Sequence, residues 1–279
     1  GQGSISADGR RVAVVMHGGG DGALVALDLE TQTVVGGLRF AGKDGPGENE
    51  IASISPNGRY LLTSGQYDDL YGTSFGSSKL QLYAYDLLDL RHSNRQLAYV
   101  HGGHFDVGEN DAGQQVIVAI GYNPLAGWAG RTTTGGETAG IFAYNLDTQQ
   151  MTHITGTALW DNRGMPAGHM SMPLDGRGVA VLSSYQGGHP DSNPIAQNNA
   201  IIAIDVDTNE VAWLGWDEGD NTGLEPAGGT SGYYAQPHVS LVQSAQYADG
   251  STGWKWAWGS DNRSTGSAAD FYVGELICN

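Results

Sequence analysis

Apolar and polar residues alternate along this chain in short runs, and no useful length of it carries an apolar face at helical spacing. Runs such as VAVVM, YLLTS, VIVAI and VAVLSS are rich in β-branched residues and are bounded by Gly, Asp and Asn. That pattern predicts strands joined by tight turns. One segment recurs as SISADGRRVAVV, ASISPNGRYLLTS, HFDVGENDAGQQVIVAI, HMSMPLDGRGVAVLSS and HVSLVQSAQYADGSTGWKWAWGS. Each copy reads strand, turn, strand. The Asp-Gly and Asn-Gly pairs offer the positive φ that a two-residue hairpin needs.

A second segment follows each copy: ALDLETQTV at 26, AYDLLDL at 84, AYNLDTQQM at 143 and AIDVDTNEV at 203, with FYVGEL at 271 as a weaker fifth. The first four starts are 58, 59 and 60 residues apart. Asp28, Asp86, Asn145 and Asp205 open the turn in these copies, and their expected work is local hydrogen bonding to the backbone. Each unit is therefore strand, turn, strand, variable loop, strand, turn, strand. Radial repetition of such units predicts an all-β fold, a β-propeller of four-stranded antiparallel blades. Five units are visible, and the fifth lacks its outermost strand. A closed five-bladed ring and a part of a larger ring both fit that count. No linker divides the chain, so residues 1–279 are expected to form a single propeller domain. The abrupt start predicts that a leader, or more, precedes Gly1.

Composition narrows the function. The 44 glycines have no Gly-X-Y period and suit many turns. The net charge of -17, with only 13 Lys and Arg, argues against nucleic-acid binding. No apolar run has the length of a membrane-spanning helix. Cys278 is the only cysteine, so no internal disulfide forms. An acidic chain of this kind suits an extracellular or periplasmic protein. There is no Gly-x-Ser-x-Gly elbow, phosphate-cradling loop or dinucleotide fingerprint.

Candidate chemistry centres on histidine. His104, His169 and His238 each open the first strand of a unit, and in a propeller those strands surround a central channel. Aligned on the turn glycines, His169 falls opposite Ile51 and near Gln2, while His104 and His238 need insertions. Imidazoles on neighbouring strands can ligate a divalent ion, and Gln236, two residues before His238, adds an oxygen ligand. A single histidine in such a place more often bonds a neighbouring backbone. Arg163 and Tyr185 are expected near the same rim, with Arg263, Tyr233, Tyr234, His101 and His189 as weaker candidates. Trp128 lies in a long loop and suits stacking on a sugar ring. Trp254, Trp256 and Trp258 share one strand face and suit packing between blades. The acidic loops DGPGENE, DEGDNTG and HPDSNPIAQNN read as solvated turns, without the ordered oxygen spacing of a calcium loop.

SISADGR, SISPNGR, QPHVS, WGSDNRS and DFYVGEL resemble the turn and strand motifs of bacterial exported TolB-like propellers. Within that group, GHFDVGENDAG, RGMPAGHMSMPLDGRGVAVLSSY and AQPHVS resemble the site region of oligogalacturonate lyase-type propellers, over residues 100–279. The resemblance implies a divalent metal ion (Mn, Ca or Zn) held by His169, Gln236 and His238, which binds the carboxylate of an acidic oligosaccharide. It implies β-elimination on a uronate, with His104, Arg163 or Tyr185 serving as the base. The alternative expectation is a non-catalytic exported propeller that binds a protein or a glycan, or that is one module of an extracellular assembly.

Overall fold

The computed structural model describes residues 5–18, 21–41, 51–65, 81–88, 95–99, 105–121, 140–154, 167–173, 178–185, 200–216, 238–246, 252–260 and 270–278. These residues form five antiparallel sheets and no helix, so none is long and apolar enough to cross a membrane. The first sheet holds β1 (Arg11–Gly18), β2 (Asp21–Asp28) and β3 (Thr33–Ala41). The second holds β4 (Ile51–Ile54), β5 (Tyr60–Gly65), β6 (Gln81–Asp86) and β7 (Arg95–Tyr99). The third holds β8 (Phe105–Glu109), β9 (Gln115–Gly121), β10 (Gly140–Asn145) and β11 (Gln150–His153). The fourth holds β12 (Ala167–Ser171), β13 (Val179–Tyr185), β14 (Ala200–Asp205) and β15 (Val211–Trp216). The fifth holds β16 (His238–Gln246), β17 (Thr252–Ser260) and β18 (Asp270–Cys278).

In each sheet the strands follow chain order, so every sheet is a meander. The first strand of a sheet lies beside the next sheet: β8 and β9 against β12, β12 and β13 against β16. This is the arrangement of propeller blades, as the repeats predict. In the first blade the innermost strand is reduced to one bridge, Ile5 to Val12, among the described residues.

Alternation along the strands builds the core between blades. Leu61, Tyr85 and Ile54 of the second blade pack with Ala13, Leu24 and Ala26 of the first. Phe105, Val107 and Ile117 of the third pack with Tyr60, Leu62 and Ala84 of the second. Met170, Met172, Ala180 and Ile204 of the fourth pack with Val116, Val118 and Ile141 of the third. A Leu or Ile that becomes wholly buried in this way contributes roughly 1.5–3 kcal/mol. The described apolar core thus lies between successive blades.

Two expectations are corrected. The Asp-Gly and Asn-Gly turns are not two-residue hairpins. Only the glycines have positive φ, at 69° for Gly9, 71° for Gly58 and 73° for Gly113. Ser6 N–H donates to Arg11 O and Gly9 N–H to Ser6 O, and Ser55, Tyr60 and Gly58 repeat that pattern. Asp8 Oδ1 accepts from Arg10 N–H at 2.9 Å and Asn57 Oδ1 from Arg59 N–H at 3.0 Å. The side-chain bond holds the residue before glycine out of the left-handed region, so the loop lengthens and glycine alone takes it.

The fifth copy of the second segment is also displaced from FYVGEL. Asp28 pairs with Arg11 and Asp86 with Tyr60, each two residues beyond the turn glycine. Asp28, Asp86, Asn145 and Asp205 are each the last residue of their strand, and the last residue of β18 is Cys278. Cys278 therefore takes the place of the turn aspartate, and without an Asp or Asn there the alignment slid along β18.

Candidate functional site

The element order gives the propeller two unlike rims. At one, the turn rim, lie the connections 6–10, 55–59 and 110–114 within the first strand pairs, and 29–32, 146–149 and 206–210 within the last pairs. At the other, the loop rim, described strands end at Gly18, Ala41, Gly65, Tyr99, Gly121, His153, Tyr185, Trp216 and Ser260.

The turn rim spends its polar residues on closing the chain. Asp28 Oδ1 accepts from Glu30 and Thr31 N–H, Asn145 Oδ1 from Asp147 and Thr148, and Asp205 Oδ1 from Asp207 and Thr208. Asp86 Oδ1 accepts from Leu88 N–H at 2.9 Å. The backbone work expected of these four residues is what they do. Four residues after the turn opener the chain crosses into the left-handed region at Gln32, Gln149 and Asn209, with φ of 55°, 61° and 62°. The other carboxylate oxygen takes an arginine: Arg10 pairs with Asp28 at 2.8 Å and Arg59 with Asp86 at 2.6 Å. In the third blade amides stand in, with Asn145 Nδ2 donating to Gln114 Oε1 at 2.8 Å. The Thr31 N–H, followed by the Arg10 guanidinium, draws the Asp28 carboxyl down to about 2.

Two turn aspartates also tie blades together. Asp147 accepts from Tyr60 Oη at 2.8 Å and from Gln115 N–H at 2.8 Å, which links the second and third blades. Arg59 lies over the Tyr60 ring, 4.9 Å from its centre. Burial, reinforced by the bond to Asp147, pushes the Tyr60 hydroxyl up to about 12. Asp207 Oδ2 accepts from Asp111 N–H at 2.9 Å across the next interface. Nearer the axis, buried Asp106 accepts from Val107 N–H at 2.9 Å and reaches into the fourth blade to Met172 N–H at 2.8 Å. Asp106 pairs with Val118, Ser53 with Leu62 and Ser171 with Val181, so three polar residues share one level of the inner strands. Ser53 Oγ is buried and makes no hydrogen bond among the described residues. Sequence reasoning misses Asp106, whose signal is a carboxylate within an otherwise apolar strand. Nothing marked Asp147 apart from other turn residues.

Of the candidate residues, His169, Tyr185 and His238 belong to described strands near their loop-rim ends. His169 is in β12, half-buried, and pairs with Ser183, whose hydroxyl lies 3.5 Å from His169 O. Ile51 pairs with Ser64, the same number of residues beyond Tyr60 as Ser183 is beyond Val179, which matches the expected alignment of His169 with Ile51. Tyr185 closes β13 and pairs with Ala167. His238 opens β16 and pairs with Gly259. Because β12 lies beside both β8 and β16, the strands that follow or carry His104, His169 and His238 are neighbours. They differ in reach. Ser183 is four residues beyond Val179, the start of β13, while Gly259 is seven beyond Thr252, the start of β17. At roughly 3.3 Å per residue, His238 enters its blade about 10 Å farther from the turn rim than His169.

His104, Arg163 and Gln236 lie outside the described residues, as do Trp128, Arg263, His101, His189, Tyr233 and Tyr234. Among the described residues no three His, Cys, Asp or Glu side chains gather closely enough to hold a metal ion. His169 is the one expected ligand whose side chain is described.

No protein-family model matches the chain, and no curated protein matches it in sequence. Its fold is similar to that of TolB from Acinetobacter baumannii, with 16% identity and a TM-score of 0.45, over 100% of this chain and 54% of that one. It is similar to Kuenenia stuttgartiensis hydrazine synthase, with 13% identity and a TM-score of 0.48, over 99% of this chain and 62% of that one. It is also similar to an oligogalacturonate lyase from Vibrio parahaemolyticus, with 12% identity and a TM-score of 0.38, over 100% of this chain and 65% of that one. The chain thus spans between 54% and 65% of the length of these three structures.

Proposed function

We propose that this chain is an exported, carbohydrate-active β-propeller that takes an acidic oligosaccharide at its loop rim and cleaves it by metal-assisted β-elimination. The observation that carries the reading is the position of β12 between β8 and β16, which makes neighbours of the strands associated with His104, His169 and His238. His169, Gln236 and His238 would hold the divalent ion, be it Mn, Ca or Zn. When bound, that ion would neutralise the uronate carboxylate and the charge that develops beside it. The proton next to the carboxylate needs a base within hydrogen-bond reach, for which His104, Arg163 and Tyr185 are the candidates.

The test is incubation with uronate-containing oligosaccharides, with metal analysis of the purified protein. The expected result is an unsaturated product with new ultraviolet absorbance, dependent on bound metal. His169→Ala should lower its rate by about 100-fold, roughly 2.7 kcal/mol of transition-state stabilisation. Absence of product on every uronate tried, together with absence of metal, would sink the reading.

One observation favours a second reading. The offset of His238 from His169 along their strands separates two of the three ligands, which suits a rim that binds a glycan or a protein without catalysis. Saturable glycan binding with neither product nor metal would establish it.

A further inference from the structure

The sequence holds a single Asn-Gly pair, Asn57-Gly58, and the fold sets it at the seam between the first two blades. Asn57 is exposed, whereas Gly58 is buried. The first blade covers Gly58. Arg11 Nη1 donates to Gly58 O at 2.7 Å, and a Cβ on Gly58 would stand 2.9 Å from Arg11 Cδ. Beside it, Ala7 N–H donates to Pro56 O at 2.8 Å.

An asparagine followed by glycine has a nucleophile at hand, because no side chain on glycine shields the peptide nitrogen from the carboxamide. Once the Gly58 nitrogen loses its proton to solvent, it can bond to Asn57 Cγ. The Cγ–Nδ2 bond then breaks and ammonia leaves, which closes a succinimide ring. Water opens that ring at either carbonyl, to give an aspartate or an isoaspartate. The folded turn holds both partners away from this reaction. Gly58 N–H donates to Ser55 O at 2.7 Å, so its proton is engaged. Asn57 Oδ1 accepts from Ser55 Oγ at 2.7 Å and from Arg59 N–H at 3.0 Å, which fixes the carboxamide over Arg59. The turn must open before the nitrogen can attack, and the Arg11 clamp opposes that local opening.

We propose that Asn57 is a self-modification site, guarded by Arg11, whose deamidation records each parting of the first two blades. The aspartate product fits the turn. Asp8 already fills the same place in the first blade, accepting from Ser6 Oγ at 2.6 Å and from Arg10 N–H at 2.9 Å. The isoaspartate product does not fit. It adds a carbon to the main chain between residues 57 and 58, which displaces Gly58 N–H from Ser55 O and Gly58 O from Arg11. A seam modified in that way loses its clamp.

The experiment ages the purified chain at mildly alkaline pH, folded and in urea. Mass spectrometry then reads the peptide around Asn57 as amide, aspartate and isoaspartate. The expected result is conversion in urea, and conversion slower by about 10-fold or more in the folded chain. Arg11→Ala should raise the folded rate by about 10-fold, the effect of losing one bond from a charged donor, and leave the rate in urea unchanged. Arg10→Ala controls for general weakening of the first blade, since Arg10 pairs with Asp28 and Glu30 rather than with Gly58. It should change the folded rate far less. Asn57→Asp should keep the urea midpoint of the parent, as the place of Asp8 requires. Equal rates in the folded chain and in urea overturn the proposal. So does an Arg11→Ala rate that matches the parent, an equal acceleration by Arg10→Ala, or a midpoint for Asn57→Asp well below that of the parent.

Discussion

The two rims of this propeller use polar residues for opposite ends. At the turn rim almost every named Asp, Asn, Ser and Arg is engaged in closing a turn or joining two blades. Asp147 and Asp207 do both kinds of work, being turn residues that reach into the preceding blade. Nearer the loop rim, His169 and Tyr185 sit within strands β12 and β13 rather than in their turns. Chemistry can change there without loss of the strand register below. The lesson is that an aspartate at the turn rim of this fold is spent on closing turns and joining blades until shown otherwise. The comparison predicts that turn-rim and inner-strand changes lower stability in proportion to the links they cut, with any elimination activity surviving in the folded fraction.

The largest effect is expected at Asp106. Replacement by Ala leaves Met172 N–H buried without an acceptor and removes two bonds to a carboxylate. At about 1.5–3 kcal/mol for a bond to a charged group, a loss of about 3 kcal/mol is expected in urea unfolding. A loss well below 1 kcal/mol would show that this link between blades is dispensable.

Gly178→Ala comes next. Gly178 has a φ of 62°, and an added Cβ would stand 2.5 Å from Asp207 Oδ2. Its N–H donates to Glu109 O and its carbonyl accepts from Val206 N–H, so the backbone cannot simply turn away. Left-handed strain of roughly 1–2 kcal/mol, with the displacement of Asp207 added, predicts a cost of about 2 kcal/mol. An unchanged urea midpoint would mean that Asp207 swings aside freely and that its bond to Asp111 is idle.

The repeat was legible because blades are made of short-range pairings, each with its own turn residues. Asp28, Asp86, Asn145 and Asp205 could be assigned to backbone work from their place after an apolar strand. The hairpins are longer than Asp-Gly and Asn-Gly alone predict, because the serine before each pair takes part in the turn. Ser6 and Ser55 supply the hydroxyl that replaces a backbone acceptor in the longer turn, at 2.8 Å to Arg11 N–H and 2.9 Å to Tyr60 N–H. The fifth copy was misplaced because Cys278 lacks the side chain that marks the turn. That β12 and β16, which carry His169 and His238, are neighbours follows from strand order, but the relative depth of the two does not, because β16 is longer than β12 and carries an irregularity between Leu241 and Gln243. A bulge leaves no mark in a pattern of alternating residues that is already interrupted by polar ones. Asp147 was missed because contact between blades joins residues 87 positions apart.

The smallest effect separates the two halves of what Asp147 does. Tyr60→Phe removes the bond to the second blade and leaves the bond to Gln115 N–H in place. One neutral donor lost to a partly exposed carboxylate should cost about 1 kcal/mol near neutral pH. The pH dependence is the sharper signature. Burial and the Asp147 carboxylate hold the Tyr60 hydroxyl at about 12, above the ordinary tyrosine value of about 10. The folded state therefore favours the protonated phenol. Its contribution is fully present below about pH 10 and is lost as pH rises towards 12. The parent should weaken through that window more steeply than Tyr60→Phe, so the two urea midpoints should converge as pH rises. Parallel curves would show that the phenol titrates as it does in the unfolded chain, and that the second and third blades are held together by packing of Tyr60, Leu62, Phe105 and Leu146 rather than by the latch at the rim.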